Sequence, residues 1–334
     1  LDEGDEVIAM ATCEEGGYLL TVTENGQGRR TALGEYRTQN RGGRGVRNYD
    51  CEGKGTLVAG VRVVGEEDDV ILIADDGIII RIKPGTKGEQ CHIPVIISKT
   101  GLSEMVYNDF YIGEDCDVDI VAGCGIHNSG CDESRHDGIH TFHIGRNCRV
   151  HYTEKHYGED AQGETGKNVM NPQTIVHLKE GAHMEMETTQ IKGIDSTVRI
   201  TKGDLADGAS LEVHEKIMTH GKQYAKTDFA IDMNGKDCSC NLVSRSVAKG
   251  ESRQEFFSIM NGNAACAGHS ECDAIIMDHG CVTASPQLTA NNIDANLIHE
   301  AAIGKIAGEQ LIKLMTLGLT EKEAEEQIIN GFLK

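Results

Sequence analysis

The sequence predicts a mainly β protein whose sheets stack on one another and whose C-terminus is a helical hairpin. Three observations carry this reading. Strand-like runs recur roughly every ten to twenty residues, with Gly, Asn or Asp between them. Glycine is abundant, at 40 of 334 residues, and proline scarce, at 4, which suits many tight turns between short strands. Only the C-terminal end carries a helical period, so βαβ units are not expected.

From the N-terminus, Val7-Ile8-Ala9, Tyr18-Leu19-Leu20-Thr21-Val22, Leu57-Val58-Ala59-Gly60-Val61 and Val70-Ile71-Leu72-Ile73 read as strands. Turn residues bound them, as in Glu24-Asn25-Gly26 and Asp75-Asp76-Gly77, so antiparallel hairpins are expected. Residues 29–47 hold six arginines against one acid, Glu35, a local charge of +5.

Residues 92–277 stay β. Val118-Asp119-Ile120-Val121, Arg149-Val150-His151-Tyr152, Met184-Glu185-Met186-Glu187, Thr197-Val198-Arg199-Ile200 and Leu211-Glu212-Val213 mostly alternate apolar with polar residues. One face of each is then buried and the other wet. A sandwich and a coiled solenoid both satisfy this pattern, and no strict repeat chooses between them.

The helical end has two parts. Leu311, Leu314 and Met315 share a face of the first helix, which Gly318 stops. Thr320-Glu321-Lys322-Glu323 is a capping box, and the helix it opens aligns Ala324, Ile328 and Phe332. This apolar stripe either packs on the protein's own β core or docks a partner.

A formal charge of −21 opposes broad nucleic-acid binding, so DNA is not an expected partner of the whole chain. The acidic start, Leu1-Asp2-Glu3-Gly4-Asp5-Glu6, lacks the layout of a signal peptide, and the apolar runs are too short to cross a bilayer. A cytoplasmic location with no membrane contact is therefore expected, and the start at Leu1 reads as that of a fragment. In that compartment the twelve cysteines are expected as reduced thiols, most of them buried.

Two resemblances divide the chain. Gly17-Tyr18-Leu19-Leu20-Thr21-Val22-Thr23-Glu24-Asn25-Gly26, Glu35-Tyr36-Arg37 and the Gly/Arg box Gln39-Asn40-Arg41-Gly42-Gly43-Arg44-Gly45 resemble a blade of the DNA gyrase A C-terminal domain. Asn40 stands where that family usually has a basic residue. The family's propeller wraps DNA, but this piece amounts to little more than one blade. The second resemblance is to the SufB/SufD-type scaffolds of iron–sulfur cluster assembly. It runs in order through Ile82-Lys83-Pro84-Gly85-Thr86-Lys87-Gly88-Glu89, Val106-Tyr107-Asn108-Asp109-Phe110, Ala122-Gly123-Cys124-Gly125-Ile126-His127-Asn128, Ser244-Arg245-Ser246-Val247-Ala248 and Gly268-His269-Ser270-Glu271-Cys272-Asp273. It closes with Ile298-His299-Glu300-Ala301-Ala302-Ile303-Gly304-Lys305-Ile306-Ala307-Gly308-Glu309-Gln310-Leu311.

This resemblance implies a right-handed parallel β-helix ending in a helical hairpin, preceded here by a partial β-propeller-like antiparallel segment. The expected domains are a gyrase-like piece over 1–82, a β-helix core over 83–295 and a helical segment over 296–334, with the seam at Gly77-Ile78-Ile79-Ile80-Arg81-Ile82-Lys83. It also implies a non-enzymatic scaffold acting on a transient iron–sulfur cluster, as a homodimer or a SufB/SufD-like heterodimer. A sulfur donor would feed it, and a SufC-type ABC ATPase would bind its C-terminal helices. The residues matching the family's assembly site are Cys281, His299 and Glu300. The rival reading is a DNA-binding gyrase-derived module fused to an inert β-helix.

Other clusters point less sharply. Cys124, His127, Cys131, His136, His140 and His143 fit no zinc spacing, and on strands they form either an internal ladder or a site. Cys238 and Cys240, two apart, share a strand face as buried core or as a sulfur relay. Gly163-Glu164-Thr165-Gly166-Lys167-Asn168 is an incomplete P-loop, with Ala161 and Asn168 in place of its first Gly and its Ser or Thr.

Overall fold

The computed structural model describes residues 17–23, 28–38, 45–54, 57–65, 72–74, 77–97, 100–127, 130–158 and 167–333. The strand expected at Val7-Ile8-Ala9, the Gly/Arg box apart from Gly45, and most of the P-loop-like stretch lie outside them. The chain forms two compact units, divided between Val70 and Ile71.

In the first unit the strands Tyr18–Thr23, Gly28–Ala32 and Val58–Val64 form an antiparallel sheet with Tyr18–Thr23 in the middle. Among the described residues, Thr21, Thr23, Thr31 and Val64 are its buried side chains. The Arg30 guanidinium lies 4.4 Å above the Tyr18 ring, and Asn48 links Thr21 to the Tyr36 hydroxyl. This is a small core, as expected of a piece of a propeller.

The second unit is a parallel β-solenoid of about seven turns. Each turn gives one strand to an eight-stranded parallel sheet and one to a facing sheet. The facing sheet counts ten strands because one position is split into Asn168–Met170 and Gln173–Leu178 and because Leu72–Ala74 adds an antiparallel strand at its edge. The five alternating runs named above all belong to ten-residue strands: Asp117–Ile126, Arg149–Gly158, His183–Lys192, Ser196–Leu205 and Ser210–Thr219. Alternate residues point into the space between the sheets, mostly apolar ones such as Val118, Val150, Met184 and Leu211. In the run Thr197-Val198-Arg199-Ile200, however, the polar Thr197 and Arg199 point in and the apolar Val198 and Ile200 point out.

The repeat is conformational rather than literal. Asp115, Asn147, Gly181, Gly208 and Asp237 stack at one corner with φ between 55° and 65°. Their backbone N–H groups donate in turn to Arg146, Glu180, Asp207, Lys236 and Ala265 carbonyls at 2.7–3.1 Å. Asn, Asp and Gly tolerate this left-handed geometry, so the residue type varies while the turn is kept. A neighbouring corner carries an Asn234–Asn263–Asn291 amide ladder at 2.7–2.8 Å.

The strand Gly77–Ile82, which a boundary at 82 would leave with the N-terminal piece, pairs in parallel with Ser103–Ile112. A Cβ on Gly77 would stand 1.6 Å from the Tyr107 carbonyl oxygen, so only glycine permits this approach. At the other end, the segment expected to be helical from 296 begins with a strand, Asn296–Gly304, paired with Ala267–Ile276. Its Ala-rich run lacks clean alternation because neither face is fully covered, and helix begins only at Gly308–Thr316.

The last helix, Glu321–Phe332, opens with the predicted capping box. Thr320 Oγ1 accepts from Glu323 N–H, and the Glu323 carboxylate accepts from Thr320 N–H at 2.8 Å. Ile329 and Leu333 bury against Val247 and Met277 of the solenoid, with Phe332 partly packed there, whereas Ile328 of the expected stripe is only half-buried. The helix therefore packs on the protein's own β core through a face shifted from the expected one. The preceding helix buries none of its residues and exposes Ile312 and Met315. Among the described residues no helix is long and apolar enough to cross a membrane.

Candidate functional site

The last turn of the solenoid consists of Cys281–Ala290 and Asn296–Gly304, each the end strand of its sheet. Among the described residues no strand covers them, and every residue of both is half-buried or exposed. One backbone edge of each strand therefore offers unpaired N–H and C=O groups.

Cys281 opens its strand after a tight turn. Asp278 takes φ 56°, and its carboxylate accepts the Gly250 N–H at 3.1 Å. A Cβ on Gly280 would stand 2.4 Å from the Ala248 carbonyl oxygen, so the turn needs glycine there. The Cys281 N–H then donates to the Ser252 carbonyl at 3.0 Å. Cys281 continues an outward row with Tyr224 and Arg253 and is an exposed thiol.

His299 and Glu300 are adjacent on a strand and so face opposite ways. His299 continues an inward row, Tyr152–Met186–Val213–Leu242–Ser270. Its Nδ1 is buried with no hydrogen-bond partner, and burial pushes its pKa down, keeping the ring neutral with a lone pair to offer. Glu300 faces outward beside His269, with its Oε2 3.9 Å from His269 Nε2. His269 Nδ1 is 2.8 Å from the Asn241 Oδ1 acceptor, which fixes the proton on Nδ1 and turns the Nε2 lone pair toward Glu300. Glu271 completes the group, with one ligand atom from each of the three within 4.8 Å of the others. Burial, with Asp273 alongside, pushes the Glu271 pKa up.

Cys281, His299 and Glu300 thus lie on the same terminal turn but face three ways. Cys281 is outward on one sheet, His299 inward on the other, and Glu300 outward on that other sheet. Sequence reasoning missed His269 and Glu271. The signal was present, because a His-x-Glu pair on a strand places both side chains on one face.

A second feature is a polar network inside the solenoid. Tyr152 Oη donates to Glu154 Oε1 at 3.0 Å and accepts from His140 Nδ1 at 2.7 Å. Arg199 donates to His156 Nδ1 at 3.0 Å, to Glu154 Oε2 at 3.5 Å and to Glu215 Oε1 at 3.2 Å. Thr227 and Ser244 hydroxyls donate to Glu215 at 2.8–3.0 Å. Burial would raise the Glu154 pKa, but His156, His140 and Arg199 hold it below the ordinary carboxylate range. Burial pushes His140 down to about 4, against the pull of Glu154, and lowers His156 as well. The network therefore keeps a buried carboxylate ionised beside two neutral imidazoles.

The other clusters separate cleanly. Cys124, His136 and His140 are buried but form no row, Cys124 lying on the sheet that faces the two histidines, whereas His143 lies outside, stacked between Tyr111 and His177 at 4.7 and 5.1 Å. Cys238 and Cys240 are core residues: burial, with Cys266 nearby, pushes the Cys238 thiol up to about 11, and burial raises Cys240 too. No described cysteine is part of a disulfide.

Comparison with known proteins divides the chain in the same way. The model for the SUF system FeS cluster assembly SufBD core domain matches residues 99–332. The model for the DNA gyrase C-terminal domain, a β-propeller, matches residues 17–64. The chain is 26% identical over 291 residues to an iron–sulfur cluster assembly SufBD family protein of Methanocaldococcus jannaschii, covering 82% of this chain and 90% of that protein. A Pyrococcus horikoshii protein of the same description is 28% identical over 279 residues, 83% of this chain and 82% of that protein. The N-terminal piece is 42% identical over 83 residues to the DNA gyrase A protein of Fibrobacter succinogenes, which is 25% of this chain but only 9% of that gyrase protein. Since the core-domain match runs through the turn bearing Cys281, His299 and Glu300 and on into both terminal helices, the chain belongs to the SufBD family of SUF-system iron–sulfur cluster assembly proteins.

Proposed function

We propose that this chain is a scaffold on which iron–sulfur clusters are built, with Cys281, Glu300 and His299 as the ligands of the nascent cluster. The observation that carries this reading is the terminal turn. It combines an exposed thiol, an outward carboxylate beside an imidazole, and a half-buried imidazole whose Nδ1 is buried without a hydrogen-bond partner. Thiolate is the soft donor that iron–sulfur clusters favour, and carboxylate and imidazole hold iron before sulfide arrives. The cluster is cargo, handed on rather than kept.

One chain does not bring the three ligands to one point, so a second protomer is required. A homodimer or a SufB/SufD-like heterodimer would join through the uncovered last turn, where the free strand edges and the ligands lie together. The helix Gly308–Thr316, with Ile312 and Met315 outside, is the proposed seat of a SufC-type ATPase supplying the energy, and a separate donor supplies sulfur. The scaffold itself performs no catalysis and works in the cytoplasm. The N-terminal piece, a quarter of the chain and a small part of a gyrase protein, has no DNA-wrapping role here.

The test is anaerobic reconstitution of the full chain with ferrous iron and sulfide. Sulfur-to-iron charge-transfer absorbance, with equal iron and acid-labile sulfide per dimer and transfer to an apo-ferredoxin, supports the scaffold reading. A chain that stays colourless alone and with a SufC-type partner refutes it.

A further inference from the structure

We propose that the outer face of the eight-stranded sheet holds a divalent transition-metal site, separate from the terminal turn. It is built from His151, Glu185, Glu187, Glu212 and His214. The three strands involved, Arg149–Gly158, His183–Lys192 and Ser210–Thr219, are consecutive in the sheet. Their register aligns His151, Glu185 and Glu212 in one cross-strand row, and Glu187 with His214 in the next row on the same face. Parallel strands stand about 4.8 Å apart, which matches the bite of a cation held from neighbouring strands. His151, Glu185 and Glu187 each bring a ligand atom within 4.8 Å of the other two, and so do Glu185, Glu212 and His214.

Glu185 is common to both groups and has two carboxylate oxygens, so it can bridge two adjacent metal positions. Each position then has two carboxylates and one imidazole, a hard-to-borderline donor set suited to Fe²⁺, Mn²⁺, Co²⁺ or Zn²⁺.

Two further features set this cluster apart from a solvated acidic patch. His151 Nδ1 lies 3.6 Å from Asp119 Oδ1, a carboxylate on the far side of the ring from the glutamates' strands. At this distance the contact is electrostatic rather than a hydrogen bond, and a carboxylate on that side favours the tautomer protonated at Nδ1, which leaves the Nε2 lone pair for a metal. Second, Arg149, Lys155 and Lys216 flank the cluster on the same face, yet among the described residues none pairs with Glu185, Glu187 or Glu212. All five residues are half-buried, so the charge of three carboxylates is gathered where water screens it only in part.

Cobalt(II) tests the site, because its spectrum reports the donors. The full chain carrying Cys281→Ser is titrated anaerobically. The expected result is binding with weak visible d–d bands and without sulfur-to-cobalt charge transfer. Glu185→Gln in this background is expected to weaken binding by at least the ~10–100-fold that even outer-shell changes cost, with an unchanged circular dichroism spectrum. Asp119→Asn is expected to weaken it less, and Glu255→Gln, on the outer face of the other sheet, to leave it unchanged. Unaltered cobalt affinity in Glu185→Gln, an equal loss in Glu255→Gln, or no cobalt bound at all would overturn the site. None of these readouts depends on cluster assembly, so failure here leaves the scaffold reading untouched, and the reverse holds too.

Discussion

Arg199 Nε donates to Glu215 Oε1 at 3.2 Å inside the solenoid, where both side chains are 6% exposed. The same guanidinium reaches Glu154, two strands along the facing sheet from Glu215, at 3.5 Å, so one cation serves two buried carboxylates. Replacing Arg199 with Met keeps the volume but leaves both carboxylates without it. Removing one partner of a buried pair costs ~3–5 kcal/mol, because the other stays buried and unpaired. Urea unfolding of Arg199→Met should show a correspondingly lower midpoint at unchanged slope. An unaltered midpoint would mean that water already reaches the network.

The same network makes stability acid-sensitive. Burial lowers His140 to about 4, below the ordinary value of 6.5, so the unfolded chain binds its proton first as pH falls. The stability is intact above pH 6.5 and is lost between 6.5 and about 4, by an amount on the order of 3 kcal/mol. His156 shifts the same way and adds to the loss, and Glu154, whose folded pKa is depressed, adds more at still lower pH. Unfolding midpoints measured from pH 7.5 down to 4.5 should fall, and His140→Phe should flatten that slope. Parallel pH profiles for the two proteins would contradict it.

Much of the fold could be read in the residues. Strand runs such as Arg149-Val150-His151-Tyr152 appear where alternation placed them, because a strand with one dry face needs that pattern. The capping box at Thr320 formed because it needs only neighbours along the chain. The solenoid itself was not legible without the resemblance. Its corners repeat a backbone conformation that Asp115, Asn147 and Gly181 all adopt, so no single residue type marks every turn. The site was legible only in part. Cys281, His299 and Glu300 were found by resemblance, whereas His269 and Glu271 become partners of Glu300 through a register between strands that local sequence does not encode. Arg199 likewise looked like one polar residue in an alternating run, yet it points inward with Glu154 and Glu215.

The two units predict a clean cut. The strand Gly77–Ile82 belongs to the solenoid's sheet, and the described contacts divide between Val70 and Ile71. Deleting residues 1–70 should leave the β signal and the cooperative unfolding of the remainder in place. Loss of that transition would show that the N-terminal piece supports the solenoid.

The N-terminal piece should not confer DNA wrapping. Residues 29–47 carry a local +5, but the chain as a whole carries −21. Duplex DNA should bind no tighter than non-specific levels, on the order of 10⁻⁴–10⁻⁶ M at physiological salt, by fluorescence anisotropy. Tighter binding abolished by replacing Arg41 and Arg44 would favour a gyrase-like role.

The most direct measurement is cluster loading in Cys281→Ser. Serine keeps the size but removes the soft anionic donor that iron–sulfur clusters need. After anaerobic reconstitution, the variant should lack the charge-transfer absorbance and the iron and sulfide content of the parent, while Cys238→Ser and Cys240→Ser, which alter buried thiols, load nearly as well. Glu300→Gln should fall between them while staying folded. Full loading of Cys281→Ser would contradict the account and remove the terminal turn as the place where the cluster is built.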